Sequence, residues 1–422
     1  MTNDAQAERA VNGRTGTRAA VRSGTRDLDR AASRRSAGVR SSVRTNRGVL
    51  EALQGRDLRV WQMRCVTVRN RNAGCHACAD ACAGGAIAFE DGLLAVDAQR
   101  CIGCGTCATV CPTAALEPVA PGDDDLLARC LDVLAACGGR ELTVACSELC
   151  DACAPHYDEG RVAEVRCLGR VDESLLAALA VAGCERVVLA SRACGACAHK
   201  AGRAVAERVA ACACELLEAW GAPVEVAFEE DVLPEAPTDG DAPAGQGRDR
   251  ALGAVGGDAR GVSAAACATA LPRVSRAGVL PQHAPTRRGR LLASLRELGE
   301  PGEVTLDTRL WGTVSIDSGE CGSCRLCAVF CPTGALRRFE DRAGGAFGLL
   351  HDPAQCVQCR CCEDVCRRGA LHVSPQVFAP DLTQGHTERF EMRPQEVVPG
   401  KPTTVVQKMR KLLSGSQQVN FA

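Results

Sequence analysis

Aromatic residues are scarce, with one Tyr, three Trp and eight Phe among 422 residues. Large rings therefore cannot carry the core of a chain this long. No run of about 18 apolar residues occurs, which excludes a membrane-spanning helix. Residues 1–46 lack the apolar segment of an export signal, and Arg34-Arg35 is followed by Ser36-Ala37-Gly38-Val39-Arg40 rather than by a hydrophobic stretch. A reducing cytoplasm is the expected compartment. No G-x-G-x-x-G follows a strand pattern, and neither a Walker loop nor a G-x-S-x-G elbow is present, so no nucleotide, nicotinamide, flavin or hydrolase site is expected. The seven histidines show no H-x-x-x-H spacing, and no basic-aromatic interleaving suggests nucleic acid.

Cysteine, by contrast, is abundant: 29 residues in a chain of net charge −1. In a long intracellular chain this density points to metal or redox chemistry rather than to disulfides. Residues 1–48 hold eleven Arg against four acidic residues and read as a disordered, solvated arm. A docking arm or a transit peptide would share that composition, and Asp4, Glu8, Asp27 and Asp29 argue against transit. Cysteine clusters fill a segment expected at 49–120. From 123 to 230 helical and strand patterns alternate, which predicts a small parallel α/β domain. Residues 231–305, rich in Pro, Gly, Ala and Asp, read as a linker. A second cysteine segment follows at 306–378, then a tail at 379–422 with a short helix expected over 405–413. The fold class expected is thus α+β multidomain, with duplicated cysteine modules flanking the α/β domain.

In the second module Cys321, Cys324, Cys327 and Cys331-Pro332 are followed by Cys356, Cys359, Cys362 and Cys366, each set spanning eleven residues. Zinc also binds C-x2-C pairs, but usually two pairs across a long gap. The pattern resembles the bacterial two-cluster ferredoxin, in which three thiolates on one loop and a fourth from the other loop hold each [4Fe-4S] cube. The resemblance implies one cluster on Cys321, Cys324, Cys327 and Cys366, and another on Cys356, Cys359, Cys362 and Cys331. Cys361 is then a spare thiol, unless a shift of register exchanges it with Cys362. Arg367 stands where the ferredoxins have proline. Arg325, Arg360, Arg367 and Arg368 would bring positive charge to these clusters, either raising their potentials or merely forming a solvated surface.

The first module carries Cys101, Cys104, Cys107 and Cys111-Pro112 complete, but Asn72 occupies the place of the first cysteine ahead of Cys75, Cys78 and Cys82. Cys65 is expected to loop back as the missing ligand, the alternative being a buried core thiol beside a differently ligated cluster. By the same exchange the resemblance implies quartets Cys65, Cys75, Cys78, Cys111 and Cys101, Cys104, Cys107, Cys82. Asp91-Gly92 in the first module and Gly344-Gly345 in the second sit between short apolar segments, predicting a hairpin in each.

The middle segment contains Val144-Ala145-Cys146-Ser147 with Cys150, then Cys167-Leu168-Gly169-Arg170-Val171-Asp172, then Cys194 and Cys197. Over some 90 residues it resembles the delta (iron–sulfur) subunit of methyl-viologen-reducing hydrogenases, which implies one [2Fe-2S] cluster on four of Cys146, Cys150, Cys167, Cys194 and Cys197, with Cys153 in reserve. Arg192 departs from that family's cysteine pattern. Cys194 and Cys197 could instead form a redox dithiol, and Cys130, Cys137, Cys184, Cys212 and Cys214 read as inert core thiols. Cys267 receives no role. The resemblances imply a carrier of single electrons through about four [4Fe-4S] clusters, serving a hydrogenase, formate dehydrogenase or heterodisulfide-reductase-like partner. A thiol or heterodisulfide reductase using Cys194 and Cys197, and a cluster-bearing accessory or sensor protein, are the rivals.

Overall fold

The protein is described from a computed structural model over residues 58–235, 275 and 278–393. The Arg-rich arm, Cys267 and the helix expected at 405–413 lie outside these residues.

The duplication expected from the cysteine spacing is visible in the backbone. Strand Leu58–Val60 pairs antiparallel with Leu116–Pro118, and between them Ile87–Glu90 and Leu93–Val96 form a hairpin. Asp91 and Gly92 turn it with φ of 51° and 77°, the left-handed pair that a two-residue hairpin needs. In the second module Thr313–Ile316 pairs with Leu371–Ser374 around the hairpin Leu336–Asp341/Ala346–His351. Each small module closes on a few aliphatics and its own thiols. Leu94, Val96 and Leu116 pack with Cys65, Cys78 and Cys107 in the first, and Val314, Leu336 and Leu349 with Cys331, Cys356 and Cys362 in the second.

The alternating segment folds as anticipated into a four-stranded parallel sheet, in the order Val162–Val165, Glu141–Cys146, Arg186–Ser191, Glu225–Glu230. Helices Asp123–Ala136, Glu173–Val181 and Gly202–Ala219 connect and cover it, burying Leu126, Val133, Leu176, Val205 and Leu217. Parallel strands require such crossovers and are sequestered by them.

Two segments differ from the sequence reading. Within 231–305, Thr286–Leu298 is a helix whose Leu291, Leu292 and Leu295 are buried in the same core as the sheet domain. Its apolar stripe covers barely two turns, includes Gly289 and follows Pro285, so the 3.6-residue period is too short to stand out. The tail beyond 378 also contributes structure. Glu388–Glu391 adds a third strand to the second hairpin, while Thr305–Asp307 pairs with Gln376–Phe378. Trp311 is fully buried in the core shared by the sheet domain, helix Thr286–Leu298 and residues 354–382.

Candidate iron–sulfur centres

Three cysteine loops share one backbone design. Gly103 and Gly105 flank Cys104, Ser323 and Arg325 flank Cys324, and Gln358 and Arg360 flank Cys359, all six with φ between 50° and 76°. A left-handed residue on each side of the middle cysteine wraps the chain tightly, so that the three thiols of the loop face one point. Four of the six are not glycine, and that conformation costs each of them energy that the loop must recover elsewhere. The loop at 72–82 lacks this pair and instead runs into a one-turn helix at Ala77–Asp80. There Cys65, at the head of helix Val66–Arg69, comes in from outside the loop.

The fold brings the thiols together across the loops. Cys65, Cys75, Cys78 and Cys111 lie within electrostatic reach of one another. Cys107 lies within electrostatic reach of Cys104, Cys101 and Cys82, and also of Cys78 from the neighbouring group. Cys327 faces Cys324, Cys321 and Cys366, while Cys362 faces Cys359, Cys356 and Cys331. Burial and the neighbouring thiols push Cys65 up to about 11 and Cys78 and Cys327 up to about 12. Such groups become thiolates together only if a multiply charged cation compensates them. The donor set therefore fits a metal–sulfur group. Cys321, Cys324, Cys327 and Cys366 line a cavity of about 440 Å³ whose other walls include Ile316, Leu349, Leu371 and Met392. Cys331, Cys356, Cys359 and Cys362 line a tighter cleft. Backbone N–H groups of Ala86, Ala115 and Leu336 donate to the sulfurs of Cys82, Cys111 and Cys331 at 3.2, 3.2 and 3.5 Å.

In the middle domain Cys197 is close to Cys194 and Cys146, and Cys167 to Cys194 and Cys197. Cys150 meets the Tyr157 hydroxyl and is also within electrostatic reach of Cys146. Glu148, Cys197 and His199 place ligating atoms within 4.8 Å of one another, a grouping that cysteine spacing did not signal. Burial raises the Cys197 thiol, the reverse of what an attacking dithiol needs. Cys130 and Cys184 are buried, Cys212 meets the Thr308 hydroxyl at 3.5 Å and Cys214 donates to the Val224 carbonyl, as inert thiols do.

The thiol groups are not isolated from each other. Val66, Ala73 and Cys361 form a small buried cluster against which Cys75, Cys359 and Phe330 pack, joining the two modules. Across the other boundary, Cys167 lies within electrostatic reach of Cys104. The Arg166 guanidinium donates to the Ile102 carbonyl at 3.2 Å, and the Thr109 hydroxyl to the Arg170 carbonyl at 3.3 Å. Gly169 is obligatory at this contact, because a Cβ there would stand 2.3 Å from Thr106 Oγ1 and 2.8 Å from Gly202 Cα. The Gly-Arg-Val-Asp part of the motif is thus a docking element beside a thiol. Among the arginines singled out from sequence, Arg325, Arg367 and Arg368 line the larger cavity. Arg325 is tied to Glu340 at 2.7 Å, and half-exposed Arg360 sits 3.8 Å from Glu363.

His351 is fully buried beside the tighter cleft, and burial brings it down to about 4. The folded state therefore holds it neutral, while the unfolded chain takes up a proton below about pH 6.5. Stability is expected to fall by about 3 kcal/mol as pH drops from about 6.5 to 4. A His351→Leu variant should lose that slope in denaturant titrations at stepped pH. An unchanged slope would assign it to other groups.

Residues 94–117 match the 4Fe-4S binding domain and residues 320–370 the 4Fe-4S dicluster domain. AegA of Escherichia coli K12, named as an oxidoreductase, is 39% identical over 87 residues, 18% of this chain and 13% of its own. YsaA of the same strain, named as an electron transport protein, is 38% identical over 81 residues, 18% of this chain and 49% of its own. The electron transport protein HydN of that strain is 48% identical over 42 residues, 10% of this chain and 24% of its own. The chain thus spans half or less of each of these relatives. No solved structure matches it. The two cysteine modules are iron–sulfur domains of the electron-transfer kind, and no helix among the described residues is long and apolar enough to cross a membrane.

Proposed function

We propose that the chain relays single electrons through four [4Fe-4S] clusters arranged in line, between partner oxidoreductases. The observation that carries this is the continuity of thiol groups across both module boundaries, Cys359 and Cys361 beside Cys75 at one and Cys104 beside Cys167 at the other. In order along that line from the second module to the first, Cys321, Cys324, Cys327 and Cys366 hold the first cluster. Cys331, Cys356, Cys359 and Cys362 hold the second. Cys65, Cys75, Cys78 and Cys111 hold the third, and Cys82, Cys101, Cys104 and Cys107 the fourth. Such a cluster takes up and returns one electron at a potential set by local charge, sulfur hydrogen bonds and exposure. The amides on Cys82, Cys111 and Cys331 belong to that adjustment.

The resemblance to the hydrogenase delta subunit supports a [2Fe-2S] cluster at the far end, on four of Cys146, Cys150, Cys167, Cys194 and Cys197. A hydrogenase, formate dehydrogenase or heterodisulfide-reductase-like enzyme would then exchange electrons there, a role in keeping with the relatives named for electron transport. The raised Cys197 thiol gives the dithiol-reductase reading no support. Iron and acid-labile sulfide per chain, measured on protein purified without oxygen, test the proposal. About 16 iron atoms are expected for four cubes, and about 18 with the additional centre. A few zinc ions with little sulfide would overturn it.

A further inference from the structure

Three arginines among the described residues are less than a tenth exposed: Arg69, Arg170 and Arg288. Arg170 is ion-paired, at 2.5 Å from Asp123 and 3.9 Å from Asp172. The other two have no carboxylate within ion-pair distance among the described residues. Arg69 donates only to carbonyl oxygens, those of Met63, Pro281, Phe330 and Cys331, at 2.9, 2.5, 3.1 and 3.3 Å. Arg288 lies 4.3 Å over the Trp311 ring, donates to the Leu310 carbonyl and leaves Nη1 without a partner. Glu173, the carboxylate in its reach, is engaged by Arg309 at 2.7 Å. A guanidinium cannot shed its proton, and burying one without a counter-charge is strongly unfavourable.

Both unpaired arginines reach thiols of one and the same quartet. Arg69, from the first module, is within electrostatic reach of the spare thiol Cys361 and of Cys331 and Cys359, and it donates to the Cys331 carbonyl itself; Arg288, from helix Thr286–Leu298, is within reach of Cys356. We propose that Arg69 and Arg288 are the buried counter-charges of the cluster held by Cys331, Cys356, Cys359 and Cys362, and make it the highest-potential centre of the chain. This rests on the four-cluster reading above. Reduction adds one electron and no proton, so the centre gains one negative charge, which the two guanidinium groups stabilise through a medium that water does not screen. Arg325, near the neighbouring quartet, is half-buried and neutralised by the exposed Glu340, and contributes far less. An electron entering from either end therefore comes to rest at the junction between the modules.

The experiment is an EPR-monitored redox titration of the full chain, with dithionite as one-electron reductant, after iron analysis has shown that the clusters are present. In Arg288→Met the most positive midpoint should fall so that the reduced-to-oxidised ratio at a given poise drops at least tenfold, which is 59 mV for a one-electron couple. The double variant with Arg69→Met should fall further, Arg288→Lys should recover part of the shift, and Arg325→Met should leave that midpoint in place. An unmoved top midpoint in fully loaded Arg69→Met and Arg288→Met proteins overturns the proposal. If those variants fail to take up iron, the wild-type protein decides. Its top midpoint should be the least sensitive to ionic strength between about 0.01 and 1 M salt, where exposed charge is screened, and finding it the most sensitive overturns the proposal. A wild-type chain without iron refutes instead the carrier reading on which it rests.

Discussion

Cys331→Ala should abolish the centre built on the loop 356–362 and spare the one on its own loop. Iron is expected to fall by about four atoms from about 16, and electron passage between the two modules should stop. The reason is directional. Cys331 follows helix Leu326–Phe330 and turns its sulfur toward Cys356, Cys359 and Cys362, where the Leu336 amide meets it at 3.5 Å. Cys366 makes the reciprocal exchange toward Cys321, Cys324 and Cys327. Cys327→Ala and Cys331→Ala, only four residues apart, should therefore delete different EPR signals. Deletion of one and the same signal by both would refute the crossed arrangement. Because the affected centre lies at the junction, its loss should also halt reduction of the first module by a donor that reaches only the second.

The second large effect is on stability. Asp172→Ala should cost about 3–5 kcal/mol, the range for leaving a buried charge without its partner. Asp172 is buried, 3.2 Å from Arg287 and 3.9 Å from Arg170, and Asp123 accepts from Arg287 at 2.7 and 2.8 Å. These four side chains fasten helix Asp123–Ala136, the Cys167–Asp172 loop and helix Thr286–Leu298 to one another. Asp172 also caps helix Glu173–Val181, accepting from the amides of Ser174 and Leu175 at 2.9 and 3.2 Å. Asp172→Asn retains the cap and loses the charge, so the difference between the two variants isolates the cap, about 1 kcal/mol. Chemical denaturation of both would measure this, and an Asp172→Ala loss within about 0.5 kcal/mol, as for an ordinary surface change, would dismiss the network. The same network predicts an acid limit. Burial alone would raise the Asp123 carboxyl, but Arg287 and Arg170 outweigh it and hold the group at about 2. The folded state thus binds fewer protons than the unfolded chain, and the network's contribution, complete above about pH 4, is lost as pH falls toward about 2.

The elements that could be read in advance are those whose signal is local. The Asp91-Gly92 turn, the strands around Val144 and Val188, and the long helix ending near Trp220 each carry several residues of periodic pattern or a turn dipeptide. Helix Thr286–Leu298 and strand Glu388–Glu391 escaped because neither has intrinsic preference enough. The helix exists through Leu291, Leu292 and Leu295 packing on the sheet domain, and the strand through pairing with Ala346–His351. Cysteine type and spacing singled out the thiols that the fold gathers, since a C-x2-C-x2-C loop determines within seven residues which sulfurs can face one point. Arg69 and Arg288 carried no such sign. An arginine flanked by ordinary residues looks the same whether it is solvated or buried beside four thiols.

By itself, then, the sequence determined that this is a chain of iron–sulfur modules, because loop spacing is a local property that survives without knowledge of the rest of the fold. Only the tertiary structure decided which modules touch, that Cys75 and Cys359 pack on one buried cluster with Cys361 and that Cys167 comes within electrostatic reach of Cys104. It also decided which arginines lose their water. Those outcomes depend on packing between segments more than 200 residues apart, such as Arg69 against Phe330, and no periodicity within either segment encodes them.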